Sequence, residues 1–211
     1  MPKMKGGEKM EIEIRSADEV VISGYVNAVE RDSRIMPKGK GSTAVRSFVE
    51  RVSAGTFRNA IESAEKPIEL RFNHSRVLCD TSTGLTLYED NIGLHATAVV
   101  HDAEVAEKAR RRELRGWSFG FISEGEKWEK LDGIDRRILD KIDLQEVTIT
   151  DRTPAYVGTS IETRSEEANV IETRGTNDEV QTVKDNTPPK VPYSVENKKK
   201  EIEILRMRGN L

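Results

Sequence analysis

The stretch Arg115-Gly116-Trp117-Ser118-Phe119-Gly120-Phe121 constrains this chain more than any other. Trp117, Phe119 and Phe121 alternate with Ser118 and Gly120, which is the period of a β-strand, because successive side chains point to opposite faces. One face is aromatic and suited to a core. The other is nearly bare, so a second backbone can approach the Ser118 hydroxyl closely. Taken alone, the pattern is that of a buried strand. As chemistry, it offers a place for a nucleophile. The sequence Gly116-x-Ser118-x-Gly120 also has the form of the nucleophile elbow of α/β-hydrolases, but in that fold the histidine follows the serine. The histidines here, His74, His95 and His101, all precede Ser118. If Ser118 is a nucleophile, its base lies upstream and the fold is a different one.

The 211 residues suffice for one domain with extensions. A net charge of -3 argues against a nucleic-acid partner. A single cysteine, Cys79, excludes an intrachain disulfide framework and fits a reducing compartment. No apolar run approaches the length of a membrane span, and the charged N-terminus lacks the apolar segment of a signal peptide, so the expectation is a soluble intracellular protein without membrane association.

Alternation predicts strands at 11–15 and 20–26, after a flexible N-terminus over 1–10. Residues 30–43 read as a loop. In 44–52, Val45, Phe48, Val49 and Val52 fall at helical spacing. A short amphipathic helix is expected from Phe57 to Ala64, ending before Pro67. Ile68, Leu70, Phe72 and His74 share one face of the next strand. After a loop containing Cys79 and Asp80, residues 84–88 and 94–100 read as a hairpin, with Leu94, Ala96, Ala98 and Val100 inward and His95 outward. Asp102 is a good N-cap for a helix running to about Leu114, its basic run Lys108–Arg115 forming a solvated face. The Ser118 strand follows. A hairpin turning at Asp132-Gly133 and a strand over 144–150 come next, the latter with Val147 and Ile149 on one face and Glu146 and Thr148 on the other. Residues 165–197 hold three prolines and few large apolar side chains, the composition of a disordered linker. Within it the tetrapeptide Ile-Glu-Thr-Arg at 161–164 recurs at 171–174, a repeat that chance can produce. Residues 198–211 form a charged segment with a short helical pattern.

Several of these stretches together resemble the prohead (capsid maturation) serine proteases of tailed bacteriophages and prophages, which are related to the herpesvirus assemblins. They are Ser23-Gly24-Tyr25, Val52-Ser53-Ala54-Gly55-Thr56-Phe57, Phe72-Asn73-His74, the strand over 84–90, Ser118-Phe119-Gly120-Phe121, and Leu144-Gln145-Glu146-Val147 leading to Pro154-Ala155-Tyr156. Each is short; the set, in this order over about residues 11–164, is specific. The resemblance implies an α+β, mostly β fold: an assemblin-like antiparallel β-barrel flanked by helices, with a disordered C-terminal tail. It implies a serine endopeptidase with Ser118 as nucleophile, His74 as base and Glu146 as the third member, with Asp143 or Asp151 as alternative acids. No cofactor or metal is implied. The implied substrates are the scaffold segment of the major capsid protein and the protease itself, by autoproteolysis, inside the immature capsid in the host bacterial cytoplasm. A homodimer is implied by the herpesvirus relation alone. Gly116, Gly120 and the Arg136-Arg137 pair are near enough in sequence to be considered for an oxyanion hole. Trp117, the arginine-rich helix, Ser53 and Thr56 depart from the family's usual residues and bear on substrate preference. The rival readings are an inactive capsid-assembly protein of the same fold, a metal site using His74, His95, His101 or Cys79, and Cys79 as nucleophile.

Overall fold

The computed structural model describes residues 10–36, 46–131, 133–151, 171–175 and 181–188. Two sheets carry the fold. In chain order the elements are β1 (Met10–Ile14), β2 (Glu19–Ala28), β3 (Phe48–Val52), α1 (Thr56–Glu62), β4 (Glu69–Phe72), β5 (Arg76–Asp80), β6 (Leu85–Glu89), β7 (Gly93–His101), α2 (Ala103–Arg110), β8 (Gly116–Leu131), β9 (Ile134–Thr150), β10 (Glu172–Gly175) and β11 (Gln181–Asp185). The first sheet has the order β11-β1-β2-β7-β6, and the second β10-β8-β9-β4-β5, with β3 also paired to β9. The fold is mostly β, as expected. The expected barrel is not closed among the described residues: β10 and β5 end the second sheet without pairing to each other, and closure requires that the edges meet.

The aromatic face of β8 lies in the core between the sheets. Trp117, Phe119 and Phe121 are almost completely buried. Phe119 meets Phe57 of α1 edge-on at 5.3 Å and stacks on Phe121 at the same separation. From the first sheet come Ile12, Ile14, Val20, Ile22 and the inward row Leu94, Ala96, Ala98 and Val100 of β7, all buried. Each large side chain so buried contributes about 1.5–3 kcal/mol. Gly24 on β2 permits the close packing of the sheets, because a Cβ there would stand 2.9 Å from Trp117 Nε1.

Residues 44–52, expected to be helical, form β3 at their C-terminal end. β3 runs parallel to β9, from Phe48 opposite Asp135 to Val52 opposite Leu139. Four of its five residues, Phe48, Val49, Glu50 and Val52, are buried, and a strand covered on both faces lacks the alternation that would set it apart from a helix face. Cys79 and Asp80, expected in a loop, belong to β5. The helix capped by Asp102, whose Oδ1 accepts from Val105 N at 2.9 Å, stops at Arg110 rather than near Leu114. Arg112, at φ 57°, already turns the chain away, four residues before Gly116.

The segment read as a disordered linker, 165–197, contributes β10 and β11. β11 adds to β1 in parallel, and β10 adds to the outer edge of β8. Charge, not apolar area, holds β10, which is why a composition argument misses it. Residues 198–211, 1–9 and Pro154-Ala155-Tyr156 lie outside the described residues.

Candidate active site

The site is built across three neighbouring strands. Ser118 on β8 stands opposite Thr148 on β9, and Gly120 opposite Glu146. On the far side of β9, Arg71 of β4 is level with Thr148 and Glu69 with Glu146. The alternation that buries Val147 and Ile149 completely leaves Glu146 and Thr148 on the Ser118 face.

His74 does not continue β4, as its spacing predicts. β4 ends at Phe72, and Asn73 and His74 both take left-handed backbone conformations, φ 52° and 60°. A left-handed conformation costs a non-glycine residue about 1–3 kcal/mol, and asparagine and histidine are among the residues that adopt it most readily. The turn is pinned from several sides. Asn73 N donates to Ile149 O at 3.0 Å, and Asn73 Nδ2 donates to Asp151 Oδ1 at 3.0 Å. Arg71 Nη1 donates to His74 O at 3.5 Å. The result folds the imidazole back over the sheet.

There His74 Nδ1 and Glu146 Oε1 are 2.5 Å apart. The Glu146 side chain is 5 % exposed and that of His74 28 %. The other carboxylate oxygen, Oε2, accepts from Thr148 Oγ1 at 3.0 Å and lies 3.4 Å from Arg71 Nε, which itself donates to Glu69 Oε2 at 2.6 Å. A carboxylate at Nδ1 keeps the proton on that nitrogen and leaves Nε2 as the basic atom. Gly120 makes room for the acid: a Cβ there would stand 2.9 Å from both Glu146 Cγ and Oε1.

Ser118 shares this face but is 4 % exposed, because β10 covers it. Gly175 pairs with Ser118, Arg174 with Phe119 and Thr173 with Gly120. Ser118 Oγ donates to the backbone oxygen of Arg174 at 2.8 Å. Among the described residues Ser118 and His74 share the face without a hydrogen bond between them. An open groove of about 910 Å³ runs beside them, lined by His74, Glu146, Arg71, Asp143 and Thr173, and stops short of Ser118.

On the opposite face of the sheet lies a buried ionic cluster that the sequence reading does not anticipate. Arg174 donates to Glu50 Oε1 and Oε2 at 2.6 and 2.7 Å and to Glu172 Oε2 at 2.6 Å. Arg137 donates to Glu172 Oε2 and Oε1 at 2.5 and 2.7 Å, to Glu50 at 3.1 Å and to Glu126 at 2.7 Å. The Arg174 guanidinium also sits 5.2 Å from the centre of the Phe121 ring. The repeat Ile-Glu-Thr-Arg was the one available signal, since two of the cluster's members lie in its second copy. Arg137, considered near an oxyanion hole, is a member of this cluster, and Arg136 pairs with Asp32 at 2.6 Å.

The alternative acids are engaged elsewhere. Asp143 lines the groove, where burial and then the neighbouring Glu124 and Glu65 hold its carboxyl above the usual range. Asp151 holds Asn73 and pairs with Lys108 Nζ at 2.8 Å. Burial, helped by Asp80, pushes the Cys79 thiol up to about 11, the reverse of an activated nucleophile. His95 lies between the rings of Tyr25 and Tyr88, at 4.7 and 4.8 Å, and His101 is exposed at the end of β7. The structure therefore does not bring His74, His95, His101 and Cys79 together, and among the described residues no three or more His, Cys, Asp or Glu side chains are grouped to hold a metal ion. Among the described residues no helix is long and apolar enough to cross a membrane.

No curated protein and no solved structure gives a match to the chain. A family model does: the one described as caudovirus prohead serine protease matches residues 8–173, well over half of the sequence. The match runs from β1 into β10 and contains His74, Ser118 and Glu146; on that extent, the chain belongs to the caudovirus prohead serine protease family.

Proposed function

We propose that this serine peptidase is an endopeptidase of capsid maturation in which Ser118 attacks, His74 carries the proton and Glu146 holds the imidazole. The observation that carries this reading is the 2.5 Å contact between His74 Nδ1 and a buried Glu146 carboxylate, on the sheet face that bears Ser118. A serine hydroxyl is a weak nucleophile and needs a base to take its proton. Nε2 of His74 is the atom available for it. Glu146 fixes the tautomer and stabilises the imidazolium that forms. Thr148 and Arg71 in turn hold the second carboxylate oxygen, so the acid stays aimed at Nδ1.

In the described state the Ser118 hydroxyl is bonded to Arg174 O, so it must turn toward the imidazole before attack. The substrate is an extended polypeptide laid along the outer edge of β8, where strand pairing supplies sequence-independent affinity. Family membership supports capsid proteins as the substrate and the phage procapsid within the host cell as the setting. The finer assignment we propose is the scaffold segment of the major capsid protein.

Co-expression with the neighbouring shell protein, followed by intact-mass analysis, tests this. The wild type is expected to shorten the shell protein, and Ser118→Ala to leave it whole. Shortening by Ser118→Ala rules the mechanism out. The hydrogen bond from Ser118 to Arg174, rather than to His74, favours one second reading, an inactive assembly protein. Capsids that assemble with every mass unchanged in both versions would establish it.

A further inference from the structure

The strand that covers Ser118 is the chain's own. β10 lies antiparallel along the free edge of β8 and places the backbone carbonyl of Arg174 2.8 Å from the Ser118 hydroxyl oxygen. Its side chains are read on alternate positions. Glu172 and Arg174 point to one face, where each meets opposite charge from another strand: Arg174 meets Glu50 of β3, and Glu172 meets Arg137 of β9. All four are buried. Ions so fully desolvated are tolerated only with complete pairing, so the pairing discriminates strongly against other residues at these two positions. Thr173, between them, faces the groove side with Gly120.

We propose that β10 occupies the substrate position, and that it displays the specificity of the site: an acidic residue held by Arg137, then any residue, then a basic residue held by Glu50, with cleavage on the C-terminal side of the basic residue. The inference rests on the peptidase reading above and adds its substrate class. Glu50 is the specificity-determining residue and Arg137 its partner at the second position. The bond cut in the chain itself is Arg174–Gly175. Ser118 Oγ bonds to the Arg174 carbonyl carbon while its proton passes to His74. The C–N bond to Gly175 then breaks, with the proton delivered to the Gly175 nitrogen. One water hydrolyses the ester, leaving a carboxylate on Arg174 and the Ser118 hydroxyl restored. Until β10 departs, Ser118 is closed to other polypeptides. The same tetrapeptide at 161–164 supplies Glu162 and Arg164 in the same spacing, and Glu196 and Lys198 repeat the acidic-x-basic spacing in the tail, so the bonds after Arg164 and Lys198 also fit this specificity.

The test uses the full-length chain. Purified wild type and Ser118→Ala are incubated and their masses followed. In parallel, quenched fluorescent peptides carrying Ile-Glu-Thr-Arg-Gly-Thr, and the same peptide with Gln for Arg or Gln for Glu, are offered to the wild type and to Arg174→Gln, whose own β10 is weakened. Expected are a fragment ending at Arg174 from the wild type only, cleavage of the parent peptide after Arg, and kcat/KM at least about tenfold lower for either Gln peptide. If the wild type cuts shell protein but leaves Arg174–Gly175 whole and treats the three peptides alike, the peptidase reading stands and this inference is overturned. If no peptide or protein is cut, and a fluorophosphonate labels Ser118 in neither chain, the peptidase reading has failed and takes the inference with it.

Discussion

Gly120→Ala separates the proposed chemistry from the fold with one methyl group. The added Cβ would stand 2.9 Å from Glu146 Cγ and Oε1 and 3.3 Å from Cδ. Ordinary carbon contacts lie near 3.5–4.0 Å, so the carboxylate must retreat by about 0.6–1 Å. Oε1 is the atom 2.5 Å from His74 Nδ1, so the retreat acts directly on the imidazole. A misplacement of about 1 Å costs on the order of 10²-fold in rate, and the ceiling is the roughly 10⁴-fold loss seen when a triad acid is neutralised. KM should change less than kcat, because the backbone of Gly120 that pairs along the edge of β8 is kept. Overpacking costs about 1–3 kcal/mol, which for a chain of this size lowers Tm by about 2–12 °C. Gly84→Ala is the matched control: its Cβ would stand 2.9 Å from the backbone oxygen of Val99, away from His74 and Ser118. The assay is steady-state cleavage of a peptide cut by the wild type, with melting curves for all three proteins. If both variants fold and Gly120→Ala keeps kcat/KM within about twofold of Gly84→Ala, Glu146 is a structural carboxylate and the reasoning fails.

Glu146→Gln keeps the shape of the acid and favours the wrong tautomer of His74, so kcat should fall by up to about 10⁴-fold with the melting curve nearly unchanged; an unchanged rate would move the role to another acid. Cys79, with its thiol near 11, should be about 0.1 % thiolate at pH 8, so alkylation should be far slower than for free cysteine, and Cys79→Ala should retain full peptide cleavage; rapid alkylation would contradict the burial. The Asp143 carboxyl lies above its usual range, so its ionised form is less favoured folded than unfolded. Asp143→Asn should therefore raise Tm at neutral pH, with the gain fading as pH falls through the folded pKa; a gain that grows in acid would reverse the sign.

Period-two alternation located β1, β2, β7, β8 and the second half of β9, because each has one face in the core and the other in polar surroundings. It failed at β3, which is covered on both faces, so its apolar spacing matched a helix equally well. His74 illustrates a different limit. Its residue type and place after an apolar strand were legible, but the two left-handed residues that turn it onto Glu146 depend on contacts with Ile149 and Asp151, far along the chain. Nothing local announces them. The ionic cluster was hidden for the same reason: Glu50, Arg137, Glu172 and Arg174 look like surface charges until three strands bring them together.

The parallel pairing of β4 with β9 sets a clock on the protein's birth. His74 and Glu146 are separated by 72 residues, with the Ser118 strand between them. A ribosome adding about 5–20 residues per second needs roughly 4–14 s to cross that interval. During it the nascent chain carries a histidine without its carboxylate. By the time Glu146 has emerged, β10 is the next strand due among the described residues, and it is the one that lies over Ser118. Under the proposed mechanism a chain ordered this way is born unarmed, and it is sheathed soon after it is armed.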